Sequence, residues 1–258
     1  MLVLQTTYSY RYSIQQKMTQ LYSTLAKIYH EMYQHVFDYD AEFNFYDSIL
    51  KPRNCNKILE VGCGSGMLAR RFLANGYDYL GLDLYNEMLD IARREIKSDK
   101  FIQGDMRNLS FDHQFDAILI TGRSLAYVID NRGIIDTLNG VHKSLKDNEL
   151  FVFGVFEANQ IFDNFNDFEQ IVEHNSKKIR RISHLEKNLQ TGWTYDWTAK
   201  YIIEQNNQIS EYDDITTLRA FTRDEISLFM KLTGFDIEEI VHEGKAFTIV
   251  AKKSSTVE

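Results

Sequence analysis

The densest chemical signal in the chain is Glu60-Val61-Gly62-Cys63-Gly64-Ser65-Gly66. Its glycines permit a tight turn and let a ligand come close to the backbone. The run follows a short apolar stretch, Lys57–Val61, and precedes a helical one, Met67–Asn75. Open parallel sheets bind ligands at such places, beyond the carboxyl ends of their strands. Two further carboxylates fall at comparable points. Asp83 ends the apolar stretch Tyr79–Asp83, where it can accept from ribose hydroxyls or cap the next helix. Asp105, in Gly104-Asp105-Met106, follows Phe101–Gln103 and can accept from an adenine amino group or cap a turn.

Two cofactors compete for the glycine loop. A dinucleotide fingerprint wants glycines at 62, 64 and 67, but position 67 is Met67. It also wants a pyrophosphate at the helix N-terminus, which Glu60 opposes. A ligand with an adenosine, no phosphate and a cationic end fits better, and S-adenosylmethionine is such a molecule. A glycine-rich structural turn is the bland alternative; three signals after successive strands weigh against it.

The elements that must position these residues are readable. Near-continuous apolar strands at 57–61, 79–83, 101–103, 115–121 and 150–156 alternate with helical stretches at 67–75 and 86–97 and with the spacing Ile134, Leu138, Val141, Leu145. That pattern predicts a parallel sheet covered on both faces. Ahead of it, residues 13–50 read as helices, with Leu21, Leu25, Ile28 and Met32 on one face. Strands with polar alternation are expected at 179–182, 191–203 and 208–218, as an inserted antiparallel layer. Thr222-Arg-Asp-Glu225 opens a helix with a capping box, Gly234 ends it, and 236–241 with 246–251 form a final hairpin. The organisation is therefore a helical lid (1–55), an α/β core (56–156), an antiparallel insertion capping the substrate (157–220) and a return to the core (221–258).

Composition narrows the function. A chain of 258 residues is one large domain, or one with an insertion. Lys and Arg total 29 against 37 Asp and Glu, a net charge of −8 that gives nucleic-acid binding no support. No apolar run approaches the roughly 18 residues of a membrane span, and the start shows no cleavable leader pattern. Two cysteines, Cys55 and Cys63, are too few for a disulfide framework and fit a reducing cytoplasm. No His/Cys cluster has metal-ligand spacing.

The segments ILEVGCGSG (58–66), LGLDLYNEML (80–89), QGDM (103–106) and FDAILI (115–120) resemble the successive motifs of class I S-adenosylmethionine-dependent methyltransferases. The resemblance implies an α/β, Rossmann-like sheet of seven strands whose last strand runs antiparallel. It implies that Glu60, Gly62, Gly64 and Gly66 shape the methionine pocket, with Cys63 as a small wall. Asp83 would hold the ribose, Leu84 and Met88 would flank the adenosine, Asp105 and Met106 would meet the adenine, and Thr121 and Gly122 would close the floor. The N-terminal Tyr22–Tyr33 stretch, the segment Gly122-Arg-Ser-Leu-Ala-Tyr127 and TTLRAFTRDEI (216–226) resemble a bacterial small-molecule subgroup that includes amino-sugar N-methyltransferases. Asp147-Asn148-Glu149 stands where a Pro-Gly-Gly turn is usual, and Arg123 and Ala126 replace a common Asp and Asn.

The candidates for acceptor chemistry follow. Tyr29 and Tyr33 lie on the lid, Tyr29 toward the cofactor and Tyr33 as a catalytic candidate, against aromatic packing for both. His174 is a candidate base, as is His184. Trp193, Tyr195 and Trp197 share one strand face; Trp193 and Trp197, with Arg123 and Tyr127, are candidates for substrate contact. Lys177-Lys178-Ile179-Arg180-Arg181 reads as a charged, solvated strand edge. The function expected is methyl transfer to a small-molecule amine or hydroxyl. The alternatives are a tRNA or protein acceptor, for which only 177–181 speaks, and a non-catalytic cofactor-binding protein.

Overall fold

A computed structural model describes Lys17 and residues 19–254. The start of the expected lid, 1–16, lies outside the described residues, as do 18 and 255–258. Two helices lead, α1 (Ala26–Val36) and α2 (Tyr39–Leu50). The core follows as β1 (Lys57–Val61), α3 (Met67–Ala74), β2 (Asp78–Asp83), α4 (Asn86–Ile96), β3 (Phe101–Gln103), β4 (Phe115–Ile120), α5 (Asn131–Ser144) and β5 (Leu145–Phe156). A short α6 (Ala158–Phe162) leads into β6 (Phe168–His174), β7 (Lys177–Lys187), β8 (Trp193–Gln205) and β9 (Gln208–Ala220). The chain then returns through α7 (Arg223–Leu232), β10 (Phe235–Glu243) and β11 (Ala246–Lys253).

The main sheet has seven strands in the order β10-β11-β5-β4-β1-β2-β3. β1 pairs in parallel with both β2 and β4, so the strand order reverses at β1. β11 is antiparallel to β5 and β10, as expected for the last strand. Burial explains the apolar strands: β4 hides Ala117, Ile118, Leu119 and Ile120 completely, between helices on both faces. The face of α5 formed by Ile134, Leu138 and Val141 is buried in one of the two large core clusters. Thr222 caps α7 by accepting from Glu225 N–H at 3.2 Å, and Gly234 follows that helix with φ +78°.

The second sheet, β6-β7-β8-β9, is antiparallel throughout. It forms a roof over the carboxyl ends of the core strands. Sequence reasoning missed β6 because its apolar residues, Phe168, Ile171 and Val172, follow no period of two. As an edge strand it buries only Val172. The basic run 177–181 is not at an edge: β7 lies between β6 and β8. Lys177 pairs with Glu31, Lys178 with Glu173 and Arg180 with Glu169, so the run is largely neutralised where it stands.

The lid differs from expectation at its start. Leu21 and Leu25 lie in turns ahead of α1, yet both are buried with Ile28 and Met32 against Ile179, Tyr201 and Ile203 of the roof. Thr19 Oγ1 and the Gln20 N–H each donate to Asp214 on β9 at 2.7 Å, which pulls this segment out of helical geometry. On its other side α1 packs Ala26 against Met88 and Ile91 of α4. The lid is thus clamped between roof and core. No helix of the described residues is long and apolar enough to cross a membrane, and among them no group of His, Cys, Asp or Glu could hold a metal.

Candidate active site

The β1 tip turns sharply because three glycines take positive φ: Gly62 at 78°, Gly64 at 54° and Gly66 at 78°. The turn is tied to β2 by Gly62 and Cys63 N–H groups donating to the Leu82 carbonyl at 2.7 and 3.1 Å. Asp83 then receives the Gly64 N–H at 2.8 Å on one oxygen and the Tyr85 N–H at 2.9 Å on the other. This buried carboxylate therefore sits at the β2 tip with fixed orientation and no ion pair. Burial pushes its pKa up, opposed by those backbone donors.

Glu60 is buried one step behind. Tyr79 donates to one oxygen at 2.5 Å and Thr121 to the other at 2.7 Å. Burial raises its carboxyl from 4.5 to about 7. The native state thus holds a proton that the unfolded chain loses, so this group makes stability fall as pH rises from about 4.5 to about 7. Melting curves of the ligand-free protein are expected to show that slope, and Glu60→Gln to flatten it. An identical slope in the variant would exclude Glu60 as its source.

Asp105, past β3, is engaged by its neighbour. Arg107 donates from Nε to both carboxylate oxygens at 3.0 Å and from Nη2 at 2.5 Å, which holds the Asp105 pKa low. Asp105 also caps a short 3-10 helix, so both the adenine reading and the capping reading keep support in the geometry.

These tips open into a cavity of about 570 Å³ under the roof. Its floor is the glycine loop and the β2, β3 and β4 tips; its walls are the lid tyrosines; its roof is Trp197, Ala199 and Tyr201 of β8 with Asp214, Thr216 and Leu218 of β9. Among the expected cofactor residues, all but Gly66 and Met88 line it. Gly66 is a packing glycine, since a Cβ there would stand 2.6 Å from Ile96 Cδ1. Met88 is fully buried behind the loop, its Cε 3.3 Å from where a Gly64 Cβ would lie.

The acceptor candidates divide. Tyr33, Arg123, Tyr127 and Trp197 line the cavity. Trp193 shares their strand face but lies past the cavity's end, 37% exposed and edge-on to Phe162 at 5.2 Å. His174 is the clearest correction: it is exposed at the end of β6, its ring tilted against that of His35 with centroids 4.5 Å apart, and does not line the cavity. His184 is exposed beside Asp167 at 2.5 Å. Arg123 is paired with Glu243 at 2.9 Å. Tyr33 accepts a hydrogen bond from Arg181 and stacks on Tyr29 at 4.2 Å. Burial raises the pKa of Tyr22, Tyr29 and Tyr33. These phenols are therefore neutral donors near pH 7, unable to serve there as bases.

Asp214 was missed by sequence reasoning. The signal available was parity: Asp214, Thr216 and Leu218 occupy alternate positions of one strand. His30 was also missed; its Nδ1 lies 3.0 Å from Ser65 Oγ, joining the lid helix to the glycine loop.

The cavity's charge suits a cationic ligand. Of the cations lining it, Arg107 and Arg123 are taken up by Asp105 and Glu243, and Lys245 donates to the Asn164 carbonyl. Glu60 and Asp83 in the floor, and Asp214 in the roof, make no ion pair among the described residues. An adenosine can lie along Asp83 and Asp105 while a sulfonium amino acid faces Glu60. The residues present fit S-adenosylmethionine.

A doubly wound sheet in this order, with a glycine loop at the β1 tip and carboxylates at the next two, defines the class I methyltransferase fold. Residues 58–148 match the family model of a methyltransferase domain. The chain is 32% identical over 151 residues to the putative methyltransferase YqeM of Bacillus subtilis, covering 57% of this chain and 60% of that relative's length. It is 26% identical over 208 residues to the dTDP-4-amino-2,3,4,6-tetradeoxy-D-glucose N,N-dimethyltransferase of Saccharopolyspora spinosa, covering 78% and 80%. Among solved structures, DesVI of Streptomyces venezuelae superposes with a TM-score of 0.80 at 19% identity, covering 90% of this chain and 98% of that one. Residues 58–148 thus form a methyltransferase domain, within a fold shared with these solved structures.

Proposed function

We propose that the protein transfers a methyl group from S-adenosylmethionine to the nitrogen of a small-molecule acceptor of the amino-sugar kind, in the cytoplasm. The observation that carries this reading is the enclosed cavity with two unlike halves: a glycine-and-carboxylate floor and an aromatic roof supplied by the 157–220 insertion. The cofactor supplies an electrophilic methyl on a positive sulfur. The chain's part is to hold the acceptor in line, to exclude water and to receive a proton. In-line alignment can be worth roughly 7–11 kcal/mol. The clamped lid and its buried tyrosines keep water out. An amine arrives protonated near neutral pH, and Asp214 is the roof carboxylate placed to hold it and take its proton. The amino-sugar N,N-dimethyltransferase relative supports nitrogen over oxygen.

The test is a screen of amines, amino sugars, hydroxy acids and tRNA for acceptor-dependent release of S-adenosylhomocysteine. Release with amino sugars, first order in enzyme, is the expected result. Release with tRNA instead would move the acceptor to nucleic acid. Tight cofactor binding without release for any acceptor would leave a binding protein.

A further inference from the structure

The lid helix is fastened to the roof by several bonds. Lys177 of β7 pairs with Glu31 of α1, and Arg181 donates to Tyr33. Ile28 and Met32 of α1 are buried against Ile179, Tyr201 and Ile203. Ahead of the helix, Lys17 meets Asp196 at 2.7 Å, and Thr19 and Gln20 hold Asp214. The segment ending in α1 and the roof therefore form one unit. α2 belongs to the core instead. Arg71 Nε donates to Asp40 at 2.5 Å, and the Tyr77 hydroxyl donates to Asp47 at 2.7 Å. The chain passes from one body to the other at Phe37, whose backbone is extended at φ −108° and ψ 139°.

This unit is tied to the core unevenly. At one end of the roof strands the Phe221 N–H donates to the Phe156 carbonyl and the Ala158 N–H to the Phe221 carbonyl, both at 2.9 Å. Tyr195, Leu218 and Ala220 pack there on Ala126 and Ala158. Arg219 of β9 adds bonds to the Ile129 carbonyl at 3.2 Å and the Asn131 side chain at 2.7 Å. α1 lies under the other end of the strands, against Ile203, which is roughly 26 Å along β8 from Tyr195 at ~3.3 Å per residue. At that end α1 meets the glycine loop through one hydrogen bond, between His30 Nδ1 and Ser65 Oγ at 3.0 Å. Beside it lies a small apolar contact of Ala26 on Met88 and Ile91. Ser65 lines the cavity; His30 does not.

We infer that the lid helix and the roof swing as one body, and that His30 and Ser65 form the seam at which they part from the floor to admit and release the cofactor. An enclosed ligand needs such an opening. The densely bonded end is the pivot, and Phe37, between two helices, absorbs the change in backbone angle. His30 is a positioning residue, since it holds the loop and not the ligand. Its ring is half-buried in the closed seam, and burial lowers its pKa from 6.5. Arg94 of α4 and Arg70 of α3 act in the same direction; Glu95 of α4 and Glu31 of α1 oppose them. Water restores the ordinary value once the seam parts, so protons favour the open state as pH falls through 6.5. The inference rests on the cofactor occupying this cavity and not on which acceptor follows it.

Two measurements test this, and neither needs turnover. Stopped-flow displacement of S-adenosylhomocysteine reads release. His30→Ala and Ser65→Ala are each expected to speed release about three- to tenfold, the worth of one hydrogen bond, and the double variant no further. Ser65→Ala breaks the bond from the floor side and covers a His30 variant that fails to fold. His30→Asn sets an amide atom near the place of Nδ1 and is expected to keep release slow without titrating. Release from the parent should therefore quicken more than release from His30→Asn between about pH 7.5 and about pH 5.5, while Glu60 contributes to both alike. Equal release from the parent and the alanine variants, or matching pH profiles for the parent and His30→Asn, would overturn the seam. Amide hydrogen exchange of the ligand-free chain reads the moving body. His30→Ala is expected to raise exchange in α1 and β7 by the same factor while β1 and β4 stay protected. A rise confined to α1 would overturn the common motion. Absence of S-adenosylhomocysteine binding to the parent would remove the cofactor from this cavity, and the exchange result would then decide the seam by itself.

Discussion

Gly64→Val is expected to abolish S-adenosylmethionine binding in a protein that still folds. Gly64 has φ +54°, a region that costs a residue with a side chain about 1–2 kcal/mol and that β-branched residues rarely enter. The space behind it tolerates a Cβ, whose nearest neighbour is the flexible end of Met88 at 3.3 Å. The damage falls on the cavity side, where the branch occupies the floor. Any relaxation of φ also turns the Gly64 N–H away from Asp83, which it meets at 2.8 Å. Calorimetry should show no heat of binding, while the melting curve stays cooperative and falls by only a few degrees. A binding isotherm like the parent's would refute the placement of the cofactor over this loop. Gly62 supplies the contrast. A Cβ there would lie 2.4 Å from Ser124 Oγ, and Ser124 is held by its own 2.7 Å bond to the Thr121 carbonyl. Gly62→Val should therefore lose stability as well as ligand.

Asp83→Ala is expected to weaken the cofactor at least tenfold, about 1.4 kcal/mol. The loss has two sources. In the placement proposed for the cofactor the ribose loses its acceptor, and the Gly64 and Tyr85 N–H groups that this carboxylate organises are left without a partner. Each buried group so stranded costs about 1–3 kcal/mol, so the variant should also melt lower. Asp83→Asn keeps one acceptor oxygen and should fall between the two. Calorimetric affinity unchanged in Asp83→Ala would remove Asp83 from the site.

What was legible in the sequence follows from how local each signal is. The glycine loop, its flanking strand and helix, and the strand ending in Asp83 each lie within a short window and arise from period and turn chemistry alone. Gly66 and Met88 belong to the same motifs, but the loop's tight turn buries them on its far side. The tryptophan alternation in β8 gave the right face but not where the cavity stops, which depends on Phe162 from α6 covering Trp193. The basic run was misplaced at an edge because its counter-charges come from α1 and β6. The Asp214 contacts with Thr19 and Gln20 join residues 195 and 194 positions apart and leave no local pattern.

Those same contacts set an order of assembly. Lys17 pairs with Asp196 at 2.7 Å and exchanges backbone and hydroxyl bonds with Thr216 and Thr217, while Thr19 and Gln20 hold Asp214. During synthesis the glycine loop emerges long before β9 does, so a nascent chain can form the floor while residues 17–20 still have nothing to fasten to. Only when the strand bearing Asp214 has been made can residues 17–20 fasten to it and complete this side of the chamber.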